Sequence, residues 1–357
     1  MHKLGYAVTV VEVAQSIRRG GTPVDIREGV IDVVRRMGLL EEISARSLPP
    51  RPTEFLDTDG TPLARRPARY EDAQDEEPGW EIERDVLLDL LYDRVKHDVE
   101  FLFADSVISV EEQVDEVAVG LASGIQRSFS LLLGCDGTHS AVRRMCFGEE
   151  ADFSLFLQNY FSLTIVDKLL IPENSSQMFN RPGKTVMLNA YNGKTDIAFC
   201  FFSAEELAYD RRDRNQQKQM ILDRFAGESW RVPELLGEIW NCDNFYFDKL
   251  CQIRMSPWSK GRVALVGDAG YCPSPAAGMG GSMAILGAAA LAEAFEKHPD
   301  DFRLAFQEYD QSLRPVVNEI QTAAIDFGLR MFAPTSEEAI RERNDILNGA
   351  GGSLARS

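Results

Sequence analysis

Residues 261–295 read GRVALVGDAGYCPSPAAGMGGSMAILGAAALAEAF, a pattern typical of a strand, a loop and a helix in succession. Its apolar run Val-Ala-Leu-Val at 263–266 is typical of a short buried strand. Gly267 and Asp268 follow directly, so a carboxylate stands at the carboxyl end of that strand. Open α/β sheets bind their ligands at this end. The stretch therefore indicates an α/β fold and makes Asp268 a candidate ligand contact.

A loop rich in glycine and proline connects this strand to a helix predicted over residues 282–295. The loop contains Pro273, Pro275, Gly278, Gly280 and Gly281. Free backbone N–H groups and the positive end of the dipole at a helix N-terminus suit an anionic or electron-rich ligand. The alternative is a tight strand–turn–helix in which the glycines only permit close packing. The stretch alone leaves both interpretations open.

The composition is that of an acidic globular protein with room for two domains. The chain has 357 residues, of which 44% are hydrophobic and 26% charged, which are ordinary proportions. Its 38 basic and 56 acidic residues give a formal net charge of −18, which argues against binding to nucleic acid or anionic membranes. Apolar stretches such as residues 284–292 are shorter than the roughly 20 residues that span a bilayer. We expect a cytoplasmic protein without a membrane span.

The six cysteines and four histidines show no metal-ligand spacing, and no CxxC pair occurs. Most of the cysteines lie in apolar runs, which favours buried thiols in a reducing cytoplasm. We therefore predict no metal site. No signal peptide is expected, because residues 1–5 lack an apolar core.

The first residues resemble the second strand of a dinucleotide-binding unit. Residues 4–12 read as a helix end, a glycine stop and a strand that closes on Glu12. In such a βαβ unit the acid that ends the second strand binds the adenosine ribose, about 20 residues after a G-x-G-x-x-G turn. Counting back from Glu12 runs off the chain, so we expect the first strand and its turn to be missing. A solvent-facing charge is the alternative for Glu12.

The remaining patterns predict helices, a meander and an aromatic-rich region. Helices are predicted over residues 30–42 and 85–96, and an antiparallel meander over 101–133. Residues 151–250 gather aromatic side chains in alternating strand-like runs, interrupted by one helix over 214–225. We interpret these aromatics as core by default.

Three further segments complete the chain. Residues 49–79 are rich in Pro, Arg, Asp and Glu and are interpreted as a surface excursion with a hairpin at 57–60. A long helix is predicted over residues 302–331, and a terminal helix over 336–347.

A second acid at a strand end completes a recognisable set. Residues 136–143 read DGTHSAVR and follow the apolar run LLLG at 131–134. This DG-x-x-S-x-x-R pattern, the strand ending in Glu12 and the GDA…P…G-x-G block together resemble the flavoprotein aromatic hydroxylases. These are the class A FAD monooxygenases related to para-hydroxybenzoate hydroxylase, and the tetracycline-inactivating branch looks nearest. The resemblance covers about residues 4–330.

The resemblance implies an α/β fold with a FAD/NAD(P)-binding, Rossmann-like domain of the glutathione-reductase type. An α+β substrate domain would be inserted in it, and a long C-terminal helix would follow. The FAD-binding domain would comprise residues 1–150 and 251–300 and would be incomplete at its N-terminus. Residues 151–250 would form the substrate domain, with 49–78 as a candidate contribution, and 301–350 the C-terminal helices.

The resemblance also implies FAD as cofactor, with NADPH or NADH as a transient co-substrate. Glu12 would hold the adenosine ribose, and Asp268 the ribityl or pyrophosphate region. The helix start at Gly280 and Gly281 would face the N1–C2=O edge of the flavin, whose reduced form is anionic. The implied cofactor-binding residues are Glu12, Arg84, Asp136, Gly137, Arg143, Gly267, Asp268, Pro275, Gly278, Gly280, Gly281 and Ser282.

Two of these assignments have structural alternatives. Asp136 and Arg143 would serve both FAD and NAD(P)H, but an acid and an arginine can equally pair to fix a loop. Arg84 opens a helix and resembles the flavin-contacting arginine of the family, whereas an ordinary exposed arginine is the alternative.

The implied reaction is hydroxylation of an aromatic or polyketide-like small molecule by O₂ through a flavin C4a-hydroperoxide. This chemistry requires no side-chain general base, and no catalytic residue is named. The partners would be the small aromatic substrate and O₂, with the protein a monomer or a homodimer. Two alternatives remain open: a truncated, non-catalytic remnant that no longer binds FAD, and a flavin-dependent reductase of the same fold.

The chain departs from the family pattern in several places. Tyr271 replaces the usual His, Ser282 the usual Asn, and Gly287 the usual Asp. The absence of a W-x-W-x-I-P motif disfavours a flavin halogenase. A truncated gene model best explains the missing first strand, and the upstream reading frame is expected to encode G-x-G-x-x-G.

Overall fold

The computed structural model describes residues 1–68 and 79–349. The strands in this part of the chain are β1 (Thr9–Glu12), β2 (Val24–Ile26), β3 (Thr53–Leu56), β4 (Pro62–Arg66), β5 (Trp80–Ile82), β6 (Glu100–Phe103), β7 (Val107–Glu112), β8 (Val117–Leu121), β9 (Gln126–Phe129), β10 (Leu132–Gly134), β11 (Ser154–Val166), β12 (Ser175–Arg181), β13 (Lys184–Tyr191), β14 (Lys194–Phe202), β15 (Phe245–Ile253), β16 (Ser259–Lys260) and β17 (Val263–Leu265). The α-helices are α1 (Gly29–Arg36), α2 (Leu40–Ala45), α3 (Arg84–Asp93), α4 (Ala141–Cys146), α5 (Arg214–Phe225), α6 (Val232–Asn241), α7 (Asp268–Tyr271), α8 (Gly280–Lys297), α9 (Phe302–Ala323), α10 (Leu329–Phe332) and α11 (Glu337–Gly349).

Small parallel sheets carry the acids predicted to bind a ligand. β1 pairs in parallel with β6, and β10 pairs in parallel with β17, beside which β16 runs antiparallel. β7, β8 and β9 form the predicted antiparallel meander, while β6 lies outside it. The α/β fold class is confirmed, and the long helix α9 follows the sheets as expected.

A seven-stranded sheet of order β15-β11-β14-β13-β12-β3-β4 forms the second layer. One of its faces is covered by α5 and α6 and holds the aromatic core predicted for this region, which includes Tyr160, Phe179, Phe199 and Phe201. The opposite face of β14 carries Cys200, which packs in one cluster with Ala276 of the glycine loop. This second face, which we call the open face, is therefore directed toward the first layer.

Three predictions about elements are corrected by the structure. The helix predicted over residues 30–42 is two helices, because Gly38 has φ 71° and ends the first. The predicted hairpin at 57–60 exists, but its strand β3 is buried and pairs in parallel with β12. The long helix predicted over 302–331 contains a π-helical segment, Ala324–Gly328.

Two classes of site are absent from residues 1–68 and 79–349. None of their helices combines the length and apolar character that crossing a bilayer demands. No group of three or more His, Cys, Asp or Glu side chains is placed to hold a metal ion there.

Candidate functional site

The two predicted ligand motifs lie side by side at the carboxyl ends of β10 and β17. Gly134 and Leu265 are in register in this parallel pair, so Asp136 and Asp268 leave the sheet at the same edge. Ligands of α/β sheets bind at this edge. The fold thus brings together two motifs that are far apart in the sequence.

Asp268 is a partly buried carboxylate that begins α7. Gly267 before it has φ 68°, a conformation that glycine adopts without strain. Burial raises the pKa of Asp268, while a hydrogen bond with the Cys272 thiol and the positive charge of Arg84 oppose that shift. A desolvated carboxylate gains most from a ligand that donates hydrogen bonds to it.

Helix α8 begins at Gly280, two residues earlier than predicted, and its first turn packs on β2. A Cβ atom on Gly281 would lie 2.8 Å from Val24 Cγ1, so this approach requires glycine. The buried Ser282 hydroxyl donates to the carbonyl oxygen of Asp25 at 2.5 Å. The packing interpretation therefore applies to Gly281. The ligand interpretation of this helix start remains a prediction.

The loop before α8 turns twice on residues with positive φ. Ser274 has φ 81° and its hydroxyl accepts from the N–H of Ala276. Pro275 then begins a 3₁₀ turn, which ends at Gly278 with φ 64°. The methionine at the N-cap of α8 has no side-chain oxygen to cap that helix, so its first N–H groups keep their capacity to bind a ligand.

Two buried glutamines, which the sequence patterns did not single out, brace this loop from behind. The Gln252 amide donates to the carbonyl oxygens of Pro273 at 3.2 Å and of Gln321 at 2.7 Å. The Gln321 amide donates to the carbonyl oxygens of Ile253 at 2.9 Å and of Cys272 at 3.2 Å. Buried amides with several backbone partners fix a loop firmly.

The DGTHSAVR motif fixes its own loop and touches the second motif. The Asp136 carboxylate accepts from the Ser140 hydroxyl and from the N–H groups of Ala141 at 2.7 Å and Val142 at 3.0 Å. Gly137 has φ 81°, which suits glycine at this turn. These contacts are of the loop-fixing kind, and contact with a cofactor remains a prediction for Asp136 and Gly137.

Arg143 joins the two motifs. Its guanidinium is 1% exposed and donates to the carbonyl oxygens of Ala269 at 2.8 Å and Thr138 at 2.6 Å. Its buried Nε has no hydrogen-bond partner within the described chain. Arg143 therefore acts as a brace between the motifs, and one unused donor is left beside the site.

Glu12 and Arg84 lie on the elements where they were predicted. Glu12 ends β1, and its carboxylate accepts from the N–H of Ala14 at 2.8 Å. Arg84 begins α3 and donates to the carbonyl oxygen of Gly20 at 2.6 Å. Its positive charge also opposes the rise in the pKa of Asp268. Cofactor contacts of Glu12 and Arg84 remain predictions.

Arg27 is a candidate ligand residue that the motifs missed. It precedes α1, and its Nη2 lies 3.4 Å from the carboxylate of Asp25. The backbone carbonyl oxygen of the same Asp25 accepts the hydrogen bond from Ser282 of α8. Its buried Nε has no partner in the described residues. A buried arginine donor left unpaired is costly. An anionic ligand beside α8 would satisfy it, which fits the phosphate groups of FAD.

A tyrosine pair explains two departures from the family pattern. The hydroxyls of Tyr271 and Tyr309 lie 2.9 Å apart, and that of Tyr309 donates to the carbonyl oxygen of Leu265 at 3.1 Å. A Cβ atom at Gly287 would overlap the Tyr271 hydroxyl. Tyr271 and Gly287 are thus a matched pair. Trp258 packs on the two tyrosines, with its ring centroid 4.5 Å from that of Tyr271.

A buried polar cluster lies on the open face of the seven-stranded sheet. Asp196 is fully buried, and one of its oxygens accepts from the Tyr191 hydroxyl at 2.8 Å, while the other has no partner in the described chain. Arg51 lies over the Tyr191 ring and donates from Nε to Asn189 at 2.9 Å. Burial raises the pKa of Asp196 to about 7, although Tyr191 and Arg51 oppose the shift.

Replacing Asp196 by asparagine is expected to stabilise the protein above pH 7. In the folded protein the pKa of Asp196 is raised from 3.8 to about 7. The stability of the wild type therefore falls as the pH rises from about 4 to 7, and above pH 7 the cost of the buried charge is present in full. We expect Asp196→Asn to gain on the order of 2 kcal/mol at pH 8 and little at pH 4. Urea unfolding at both pH values measures this difference.

Thr164→Val is the matched control for Asp196→Asn. The Thr164 hydroxyl is also buried without a partner in the described residues, but it does not titrate, so its variant should shift stability equally at both pH values. A gain for Asp196→Asn that does not depend on pH would contradict an ionised Asp196.

Known proteins are similar to this chain in sequence and in fold. The family model described as FAD binding domain matches residues 1–319. A flavin-dependent monooxygenase of Legionella longbeachae is 32% identical over 323 residues, which cover 90% of this chain and 82% of that protein. An uncharacterised protein of Mycobacterium tuberculosis is 36% identical over 326 residues, with 90% and 87% covered. The crystal structure of tetracycline destructase Tet(55) is 30% identical, with a TM-score of 0.83 over 98% of this chain and 90% of that one.

Proposed function

The chain belongs to the FAD binding domain family and, within it, to the class A flavin-dependent monooxygenases, and we propose that it hydroxylates an aromatic or polyketide-like small molecule with NAD(P)H and O₂. The observation that carries this proposal is the contact of the two motifs through Arg143, which holds the acids of both at one edge of the sheet.

The residues of this edge fit FAD. The partly exposed guanidinium of Arg27 suits its phosphates, and the desolvated Asp268 suits the hydroxyls of its ribityl chain. The first turn of α8, close to β2, would offer its backbone N–H groups to the electron-rich edge of the flavin ring. When bound, the flavin would supply the redox chemistry and the activation of O₂.

The chain itself would position the substrate and exclude water. The open face of the seven-stranded sheet is directed toward the glycine loop, so a molecule bound there would lie next to the flavin. Asp196 and Arg51 on this face are buried, so they would support the shape of the face rather than touch the substrate.

Three measurements test the proposal. Purified protein mixed with FAD should turn yellow and stay so through gel filtration. It should then oxidise NADPH or NADH, and a substrate should make it consume O₂. Tetracycline is the first compound to try, because two similar solved structures are tetracycline destructases.

The alternatives give different results in these measurements. Protein that stays colourless but binds a small aromatic would favour a non-catalytic remnant. NAD(P)H oxidation with turnover of an added acceptor, but without substrate-dependent O₂ consumption, would favour a flavin-dependent reductase. Gel filtration also distinguishes a monomer from a homodimer, the two states left open by the sequence.

A further inference from the structure

His139 contacts two carboxylates at once. Its Nδ1 lies 2.7 Å from Glu150 Oε2, and its Nε2 lies 2.6 Å from Asp248 Oδ2. A neutral imidazole carries one N–H and can donate only one of these bonds. The arrangement therefore calls for the imidazolium form, and we name these three residues the His139 bridge.

The bridge joins the loop of the first motif to the seven-stranded sheet. His139 belongs to the loop between β10 and α4, Asp248 to the edge strand β15, and Glu150 to a 3₁₀ turn, Glu150–Asp152, between the two layers. The same loop touches the second motif on either side of His139. The Thr138 hydroxyl donates to the Cys272 sulfur at 3.4 Å, and Arg143 donates to Ala269.

The groups around the two carboxylates differ in charge. Glu150 also contacts three cations: Arg211 at 3.1 Å, Lys249 at 3.7 Å and Arg143 at 3.8 Å. The further donors to Asp248 are neutral, namely the Tyr209 and Tyr246 hydroxyls and the N–H of Lys249, whose ammonium also pairs with Glu206. Loss of the His139 proton would therefore remove the cationic partner of Asp248, which is 8% exposed.

We propose that His139 is a positioning residue for the flavin site. In its bridging form it fixes the Asp136–Ser140 loop against the seven-stranded sheet. It thereby holds both motifs in the geometry that binds FAD. The inference rests on the proposed binding of FAD. It adds a dependence of that binding on one imidazole that does not itself touch the cofactor.

The pH range of this effect follows from the shifts of the bridge. Burial alone would lower the pKa of His139, but the contacts with Asp248 and Glu150 outweigh it and raise the pKa to about 8. The stabilisation is then fully present below the ordinary value of about 6.5 and is lost as the pH rises through about 8. On the acid side, burial would raise the pKa of Glu150, but His139 and Arg211 lower it to about 2. Glu150 therefore stays ionised in mild acid, and its contribution to the stability of the bridge persists there.

Titration of FAD by flavin fluorescence at pH 6.5 and pH 9 tests the inference. We expect the Kd of the wild type to rise about tenfold between these values, the equivalent of about 1.4 kcal/mol, because FAD must then bind to a loop that the bridge no longer holds. His139→Gln should already show the weaker binding at pH 6.5 and little further change. His139→Lys keeps a cation at pH 9, and so it should keep tighter binding there than the wild type.

His298→Gln is the matched control, because His298 caps the C-terminal end of α8, a helix that contributes no residue to the bridge; this variant should behave as the wild type does. Thermal unfolding of all variants without FAD separates loss of folding from loss of positioning. Equal Kd values for the wild type and His139→Gln at both pH values would overturn the inference while leaving the proposed function intact. A wild type that binds no FAD at pH 6.5 would overturn both.

Discussion

Asp268→Ala is expected to abolish tight binding of FAD without destabilising the protein that lacks FAD. Burial of this carboxylate raises its pKa, so its removal relieves a desolvation cost in the free protein. In the complex, the variant loses charge-assisted hydrogen bonds from ligand hydroxyls, each worth roughly 1.5–3 kcal/mol. We expect the Kd for FAD to rise roughly 30-fold or more.

Thermal unfolding with and without FAD measures both effects in one experiment. The wild type should gain melting temperature with FAD, whereas Asp268→Ala should start at an equal or higher value and gain little. Asp268→Asn, which keeps an acceptor but no charge, should lie between the two. An equal gain with FAD in the wild type and in Asp268→Ala would show that this carboxylate does not contact the cofactor.

Gly287→Asp should destabilise the protein strongly, and a second substitution should rescue it. The new side chain would displace the Tyr271 hydroxyl from its contact with Tyr309, and overpacking of this kind costs typically 1–3 kcal/mol. The burial of a carboxylate adds to that cost. Tyr271→His together with Gly287→Asp restores the two residues of the family pattern at these positions, and the smaller imidazole ring would leave room for the acid and pair with it.

Urea unfolding of the wild type, both single variants and the double variant forms a double-mutant cycle. We expect a favourable coupling energy of about 1–3 kcal/mol, because the two side chains share one space. Additive effects of the two substitutions would contradict the matched-pair interpretation of Tyr271 and Gly287.

Local patterns predicted elements of both layers. The strand before Asp268 and the helix after it both exist, and helix α5 has the predicted bounds. The position of β3 was not predictable in this way, because it is set by parallel pairing with β12. Such pairing depends on contacts between segments that are far apart in the chain. These contacts produce no regular hydrophobic pattern in the sequence of either segment.

In the candidate site, too, the residues with local signals were predictable and those with distant partners were not. Acids at strand ends and glycines in turns are local signals, so Asp136, Gly137, Gly267 and Asp268 could be named from the sequence. Gln321 and His139 could not, because their partners lie on other elements. Arg27 gave only a weak local signal, an arginine two residues before a helix, and its unpaired buried nitrogen is what makes it a candidate.

The fluorescence of Trp258 can report on the packing behind α7, the helix that begins at Asp268. Its indole is 1% exposed and lies between the Tyr271 ring and the Arg314 guanidinium, whose central carbon is 4.1 Å from the indole centroid. An indole held in this way emits at short wavelengths, and its emission overlaps the near-ultraviolet absorption of flavins. With phenylalanine in place of Trp80, Trp230 and Trp240, this single residue would report by its colour and brightness how the loop responds to each ligand, without any added label.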